Sequence, residues 1–161
     1  GEAYAIVGGL QFQATELLSL DANVGFTRLS YDDPTQPAIE AVSFDASAYY
    51  SPTPLTRFQL RASRTVDETI NPLFSSFLST GISLRGEHEL LRNLIIRSDL
   101  EYVDFSAGDL GDIGNEWRSV IGAIYYVSPR VSLNLRGELF RREGLFDGDQ
   151  KRLMLSAAYT F

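Results

Sequence analysis

Cysteine is absent from all 161 residues, so the chain has neither disulfides nor thiolate metal ligands. Lysine is nearly absent: of fourteen basic residues, Lys151 alone is not an arginine. The 21 acids outweigh them to a net charge of −7, which argues against a nucleic-acid partner. No run of 18 apolar residues occurs, which excludes a transmembrane helix. The first residues show no secretory signal, and Gly1-Glu2-Ala3 reads as a mature or trimmed end. Histidine occurs once, as His88, and its same-face neighbours in a strand are Gly86 and Leu90 rather than a serine. No nucleophile, base and orienting group stand in a catalytic pattern, so no enzyme is expected. The residues also imply no cofactor and no dedicated metal site; acid-rich Gly108–Glu116 reads as a solubilising loop.

Helical periodicity is poor throughout, whereas period two recurs from end to end. In the last segment Leu153, Leu155, Ala157, Tyr159 and Phe161 point one way, and Arg152, Met154, Ser156, Ala158 and Thr160 the other. The same division sets Val131, Leu133, Leu135, Gly137 and Leu139 against Ser132, Asn134, Arg136 and Glu138. Another sets Leu18, Leu20, Ala22, Val24 and Phe26 against Ser19, Asp21, Asn23 and Gly25. Nine strands are expected, near 3–14, 17–31, 41–51, 55–66, 77–90, 93–105, 116–128, 131–142 and 151–161. Tight joints at Thr15-Glu16, Ser51–Pro54, Leu91–Asn93 and Ser128–Arg130 alternate with long ones at 32–40, 67–76, 106–115 and 143–150.

A soluble sandwich or lipocalin-like barrel also alternates, but it keeps its apolar face inside. Here the other face carries charges strand after strand, and buried charges are costly unless paired and solvated. An oily exterior around a wet lumen removes the conflict, and short inner turns with longer outer loops complete the pattern of an outer-membrane barrel. The fold class expected for residues 1–161 is therefore an all-β antiparallel transmembrane barrel in the bacterial outer membrane. Mean hydropathy of −0.08 agrees, because only alternate residues would meet lipid.

Gly8-Gly-Leu-Gln-Phe12, Leu20–Arg28, Phe44–Pro54, Leu60–Arg64, His88–Leu94 and Tyr125–Pro129 carry a further signal. In these stretches the chain resembles the outer-membrane family of type-two β-barrel porins, several of whose members accompany exopolysaccharide export. The resemblance implies a channel, or part of one, for polar solutes, with polysaccharide-export components as partners. It also implies a longer, 16–18-stranded barrel of which this chain is the C-terminal half. A self-contained eight-stranded barrel remains the alternative, because nine strands would place the two ends on opposite sides and strand 3–14 is the one parity makes doubtful. Leu155, Tyr159 and Phe161 look like the terminal signal read by the barrel-assembly machinery.

On the inward face the expected lumen-lining residues are Asp21, Asp45, Arg57, Arg61, Arg85, Glu87, Glu89, Arg97, Asp99, Glu101, Arg118, Arg136, Glu138 and Arg152, with Arg142 beside them. Eight positive and seven negative charges nearly cancel, which suits a weakly charged solute or, in a narrow barrel, a charge-packed plug. The long joints and their edges hold twelve acids, including Asp32, Asp104, Asp112, Glu116, Glu143 and Asp149, and no basic residue. A non-conducting interaction barrel using these acidic loops is the other reading. Tyr50, Tyr125, Tyr159 and Phe161 would mark the inner lipid interface, and Phe26, Tyr102 and Trp117 the outer one. Arg28, Arg64 and Arg141 each follow the last oily residue of an upward strand, at the level where lipopolysaccharide phosphates are expected.

Overall fold

A computed structural model describes residues 2–30, 39–68, 76–107, 111–144 and 147–160. Nine strands follow one another: β1 (Glu2–Thr15), β2 (Leu18–Ser30), β3 (Ile39–Thr53), β4 (Thr56–Glu68), β5 (Ser76–Leu91), β6 (Leu94–Ala107), β7 (Gly111–Ser128), β8 (Val131–Gly144) and β9 (Gly148–Tyr159). Each pairs antiparallel with its sequence neighbours, giving one sheet in the order β1 to β9. The sheet is not closed: β1 and β9 each have a single partner. The self-contained eight-stranded alternative is therefore not what forms. The doubtful strand 3–14 is β1, paired with β2 from Glu2↔Ser30 to Thr15↔Leu18.

Alternation drives this architecture, and burial shows why water alone cannot support it. Among the described residues no second layer covers the sheet. Among the described residues the buried hydrophobic side chain is Ala107, while Leu153, Leu155 and Ile6 are about three-quarters exposed. Fully burying one such side chain is worth about 1.5–3 kcal/mol, so an uncovered apolar face this wide requires an apolar surrounding. The exposed Ile6, Leu10, Val24, Leu60, Leu135 and Leu153 all fall on the same face by register.

The four tight joints share one construction. Each spans two residues between strands, and each down-running strand carries an irregularity just before it: at Gln13/Thr15, Tyr50/Thr53, Glu89/Leu91 and Tyr126/Ser128. Bulges of this kind add twist at barrel rims. The second turn residue then accepts a backbone hydrogen bond from the next hairpin: Ser51 N–H to Leu17 O, Glu89 to Leu55, Tyr126 to Asn93 and Thr160 to Arg130, all at 2.8–2.9 Å.

Two long joints are shorter than the alternation predicts. β7 begins at Gly111 rather than 116, and β8 runs to Gly144 rather than 142. Gly114 and Gly144 are register partners with φ of 145° and 131°. A Cβ on Gly144 would stand 2.5 Å from Gly114 Cα, so the close approach that prolongs this hairpin needs glycine. Asp112 and Asp147 accept the N–H groups of Gly114 and Gly144, both at 2.9 Å, so these acids hold backbone rather than project as a free acidic fringe.

Candidate functional site

The polar face carries the chemistry. Pairing puts every expected lumen residue on it, because cross-strand partners share a face. One row reads Arg57–Glu87–Arg97–Gly122–Arg136–Met154, and the next Gln59–Arg85–Asp99–Val120–Glu138–Arg152. Asp21 lies opposite Gln11 and Ser47, and Asp45 opposite Ser63.

Within these rows the charges meet across strand boundaries. Arg61 binds Asp45 at 2.6 Å, bridging β3 and β4. Arg57 stands 3.8 Å from Glu87 and 4.0 Å from Glu89, between β4 and β5. Arg97 binds Glu87 at 2.6 Å and Arg85 binds Asp99 at 2.8 Å, both between β5 and β6. Arg118 reaches Glu101 on β6 at 4.0 Å and Glu138 on β8 at 2.9 Å, and Arg136 also pairs with Glu138 at 3.4 Å. Every boundary from β3 to β8 is thus crossed. Such pairs, exposed to water, are worth about 0–1 kcal/mol each. Their weight lies in the field they set rather than in stability.

Glu116 is a site residue that alternation missed. Read from the sequence as the first residue of strand 116–128 and counted with the acidic loop edges, it lies well inside β7 and pairs with Arg142 on the polar face. The signal available was its even spacing from Arg118, which the glycines at 108, 111 and 114 obscured. With it, eight arginines face eight acids whose side chains are described, and register puts Asp67, opposite Phe77, on the same face, so the charges nearly cancel. Two hollows open on this face. One, of about 430 Å³, is lined by Glu101, Glu116, Arg118, Glu138, Arg142 and Arg152 among others. The second, of about 720 Å³, lies over Arg85, Glu87, Arg97, Asp99, Asn134 and Arg136, where Gly122 leaves space. Nearby, Gln59 Nε2 donates to the Tyr49 hydroxyl at 3.1 Å.

The opposite face sorts the remaining residues. Tyr50 and Tyr125 sit near the tight turns, Tyr159 pairs with Val131, and Tyr102 packs against Trp117 with centroids 4.6 Å apart. Leu155 lies opposite Leu135; Phe161 falls outside the described residues. Thr56 Oγ1 and His88 Nδ1 lie 2.9 Å apart, with Thr53 Oγ1 donating to Thr56 Oγ1 at 3.0 Å. Arg141 binds Glu143 at 2.6 Å and approaches Asp149 at 4.0 Å. Among the described residues no three histidine, aspartate or glutamate side chains cluster as metal ligands.

One antiparallel sheet, apolar outside and charged within, turned tightly at one end, defines the class: this is a bacterial outer-membrane β-barrel protein. The model of the family described as "Putative beta-barrel porin 2" matches residues 1–157, and the chain belongs to that family. No curated protein matches the sequence. Solved structures of OmpT, an outer-membrane protein of Vibrio cholerae, share the fold. The form expressed in the outer membrane aligns at a TM-score of 0.66 and 17% identity, over 98% of this chain and 56% of that one. The in-vitro folded trimer form gives 0.66 and 15%, over 98% and 55%. The variant lacking loop L8 gives 0.62 and 16%, over 96% and 52%. The chain therefore spans about half the length of the structures it resembles.

Proposed function

We propose that the sheet is part of the wall of a water-filled channel that passes polar solutes of small net charge across the outer membrane. The observation that carries this reading is the near-balanced lattice of arginines and acids, whose arginine side chains range from 44% exposed for Arg118 to 67% for Arg85. Field lines in such a lattice run between neighbours and not along the pore, which suits neutral solutes better than ions of either sign.

Closure supports a wide lumen. In an antiparallel sheet β1 and β9 run in the same direction, so they cannot pair antiparallel with each other; an odd number of further strands must stand between them. Nine strands in 56% of the aligned OmpT chain scale to about sixteen, leaving seven, and 16–18 strands leave an aqueous channel. Among polar, weakly charged cargoes, a polysaccharide strand is the one the family resemblance favours. Catalysis is no part of this reading, since His88 faces outward and meets threonines.

Conductance of the full-length protein in planar bilayers tests the proposal, with liposome swelling by neutral oligosaccharides beside it. Stable channels admitting neutral sugars faster than equally sized charged ones are expected. A folded barrel that neither conducts nor admits sugars would favour the non-conducting interaction barrel instead.

A further inference from the structure

The outward face places a polar row directly above an aromatic one at the rim remote from the tight turns. The lower row reads Ala62–Ile82–Tyr102–Trp117–Arg141 and the upper Arg64–Thr80–Asp104–Asn115–Glu143. On β8 the oily face runs from Val131 to Arg141. Ten residues at ~3.3 Å each, tilted by ~40°, rise about 25 Å, the height of the apolar band. The two rows therefore straddle the upper edge of the hydrocarbon.

The arginines of this rim are not equivalent. Arg141 is occupied by Glu143 at 2.6 Å and by Asp149 at 4.0 Å. Arg64 is flanked by Phe44 and Thr80, and its Nε is buried without a hydrogen-bond partner. Nε itself is too covered to meet a ligand, but the terminal nitrogens of a guanidinium at the edge of hydrocarbon can fork onto an anion with two acceptor oxygens, which is phosphate geometry. Two and three strands along the rim and one row lower, the Tyr102–Trp117 pair, tilted at 46° with Trp117 56% exposed, presents an apolar aromatic surface. The C–H face of a sugar ring stacks on such a surface. Asp104, between Arg64 and Trp117 in strand order, can accept hydrogen bonds from sugar hydroxyls and repels a second bare anion.

We propose that Arg64, Asp104, Tyr102 and Trp117 form a headgroup site for a phosphorylated glycolipid of the outer leaflet, lipopolysaccharide. The phosphate lies on Arg64 and a sugar ring on the aromatic pair. The inference rests on the orientation that puts the tight turns in the periplasm, and it is independent of whether the lumen conducts.

The test uses full-length protein folded in detergent and titrated with purified lipopolysaccharide, its dephosphorylated form, or phosphatidylglycerol. Trp117 is the sole tryptophan of this chain, so its fluorescence, taken as the difference from Trp117→Phe, reports occupancy alongside the shift in Tm. Arg64→Gln is expected to weaken lipopolysaccharide binding about tenfold or more, the worth of one charge-assisted hydrogen bond. Arg141→Gln should change it less than about twofold, since that side chain is already engaged. Arg64→Lys, which keeps the charge but not the fork, should fall between, and serves if Arg64→Gln fails to give a heat-modifiable barrel. Dephosphorylated lipid and phosphatidylglycerol should each bind more weakly than the intact glycolipid. Equal binding by Arg64→Gln and wild type overturns the site. So does equal loss in Arg141→Gln, or phosphatidylglycerol matching lipopolysaccharide, either of which leaves only arginines reaching for any anionic interface.

Discussion

Replacing Glu138 with glutamine removes one negative charge from a wall whose charges otherwise nearly cancel. Its carboxylate is 12% exposed, accepts a hydrogen bond from Arg118 Nε at 2.9 Å, pairs with Arg136 at 3.4 Å and lies opposite Arg152 in register. After the change three guanidinium groups share the place where one acid stood, and Arg118 keeps only Glu101 at 4.0 Å. An ion passing ~5 Å from one uncompensated charge in water feels about 0.8 kcal/mol, reduced to about 0.5 kcal/mol at 0.1 M salt. That enriches anions about twofold and depletes cations as much, so the anion-to-cation permeability ratio should rise about fivefold. At 1 M salt, where the screening length is about 3 Å, most of the change should vanish. The folding cost should stay below about 1 kcal/mol, because the partners are 44% and 45% exposed and remain hydrated. Reversal potentials of single channels across a salt gradient measure the ratio. An unchanged reversal potential at 0.1 M, in a barrel that still folds and conducts, would refute the placement of Glu138 beside the ion path.

Two further outcomes test the faces and the end of the sheet. Leu135→Arg, on the outward face between Ala123 and Leu155, should cost about 2–4 kcal/mol in reversible folding into bilayers, whereas Asn134→Arg, lining the larger hollow, should cost far less; equal costs would invert the face assignment. Deleting Phe161 together with Tyr159→Ala should strand unfolded precursor in the periplasm, because the last strand must be delivered and paired before its edge meets lipid; normal heat-modifiable barrel in the outer membrane would remove these residues from the assembly signal.

Alternation revealed most of the sheet because the bilayer enforces it: where one face meets hydrocarbon and the other water, a one-residue slip is intolerable. β2, expected at 17–31, spans Leu18–Ser30, and the four tight joints fall at the expected places, three of them marked by Pro or Asn. The contrast fades beyond the membrane edge. β7 from Gly111 to Asn115, with Ile113 its one apolar side chain, and the start of β9 at Gly148 lack the oily alternation, so their glycines and acids read as loop. Glu116 was misplaced for that reason, and Glu143, the partner that occupies Arg141, went unseen as a strand residue. Pairing itself is written in register rather than in any one strand. That Arg61 meets Asp45 and Arg85 meets Asp99 follows from two-residue turns and the bulges before them, which a face-by-face reading does not contain.

The four turn carbonyls, Leu17, Leu55, Asn93 and Arg130, recur at intervals of 38, 38 and 37 residues, each seating the hairpin that follows. A joint of that kind makes the hairpin an interchangeable part. A gene that loses or duplicates one such stretch keeps the seat intact on both sides, preserves strand parity, and changes the circumference by two strands. Residues 54–91 are the cut that leaves Thr53 leading directly into the Arg92-Asn93 turn, so the seam would be remade from parts already shaped for it. Barrel size in such a lineage is then free to drift in steps of two while the periplasmic rim stays the same.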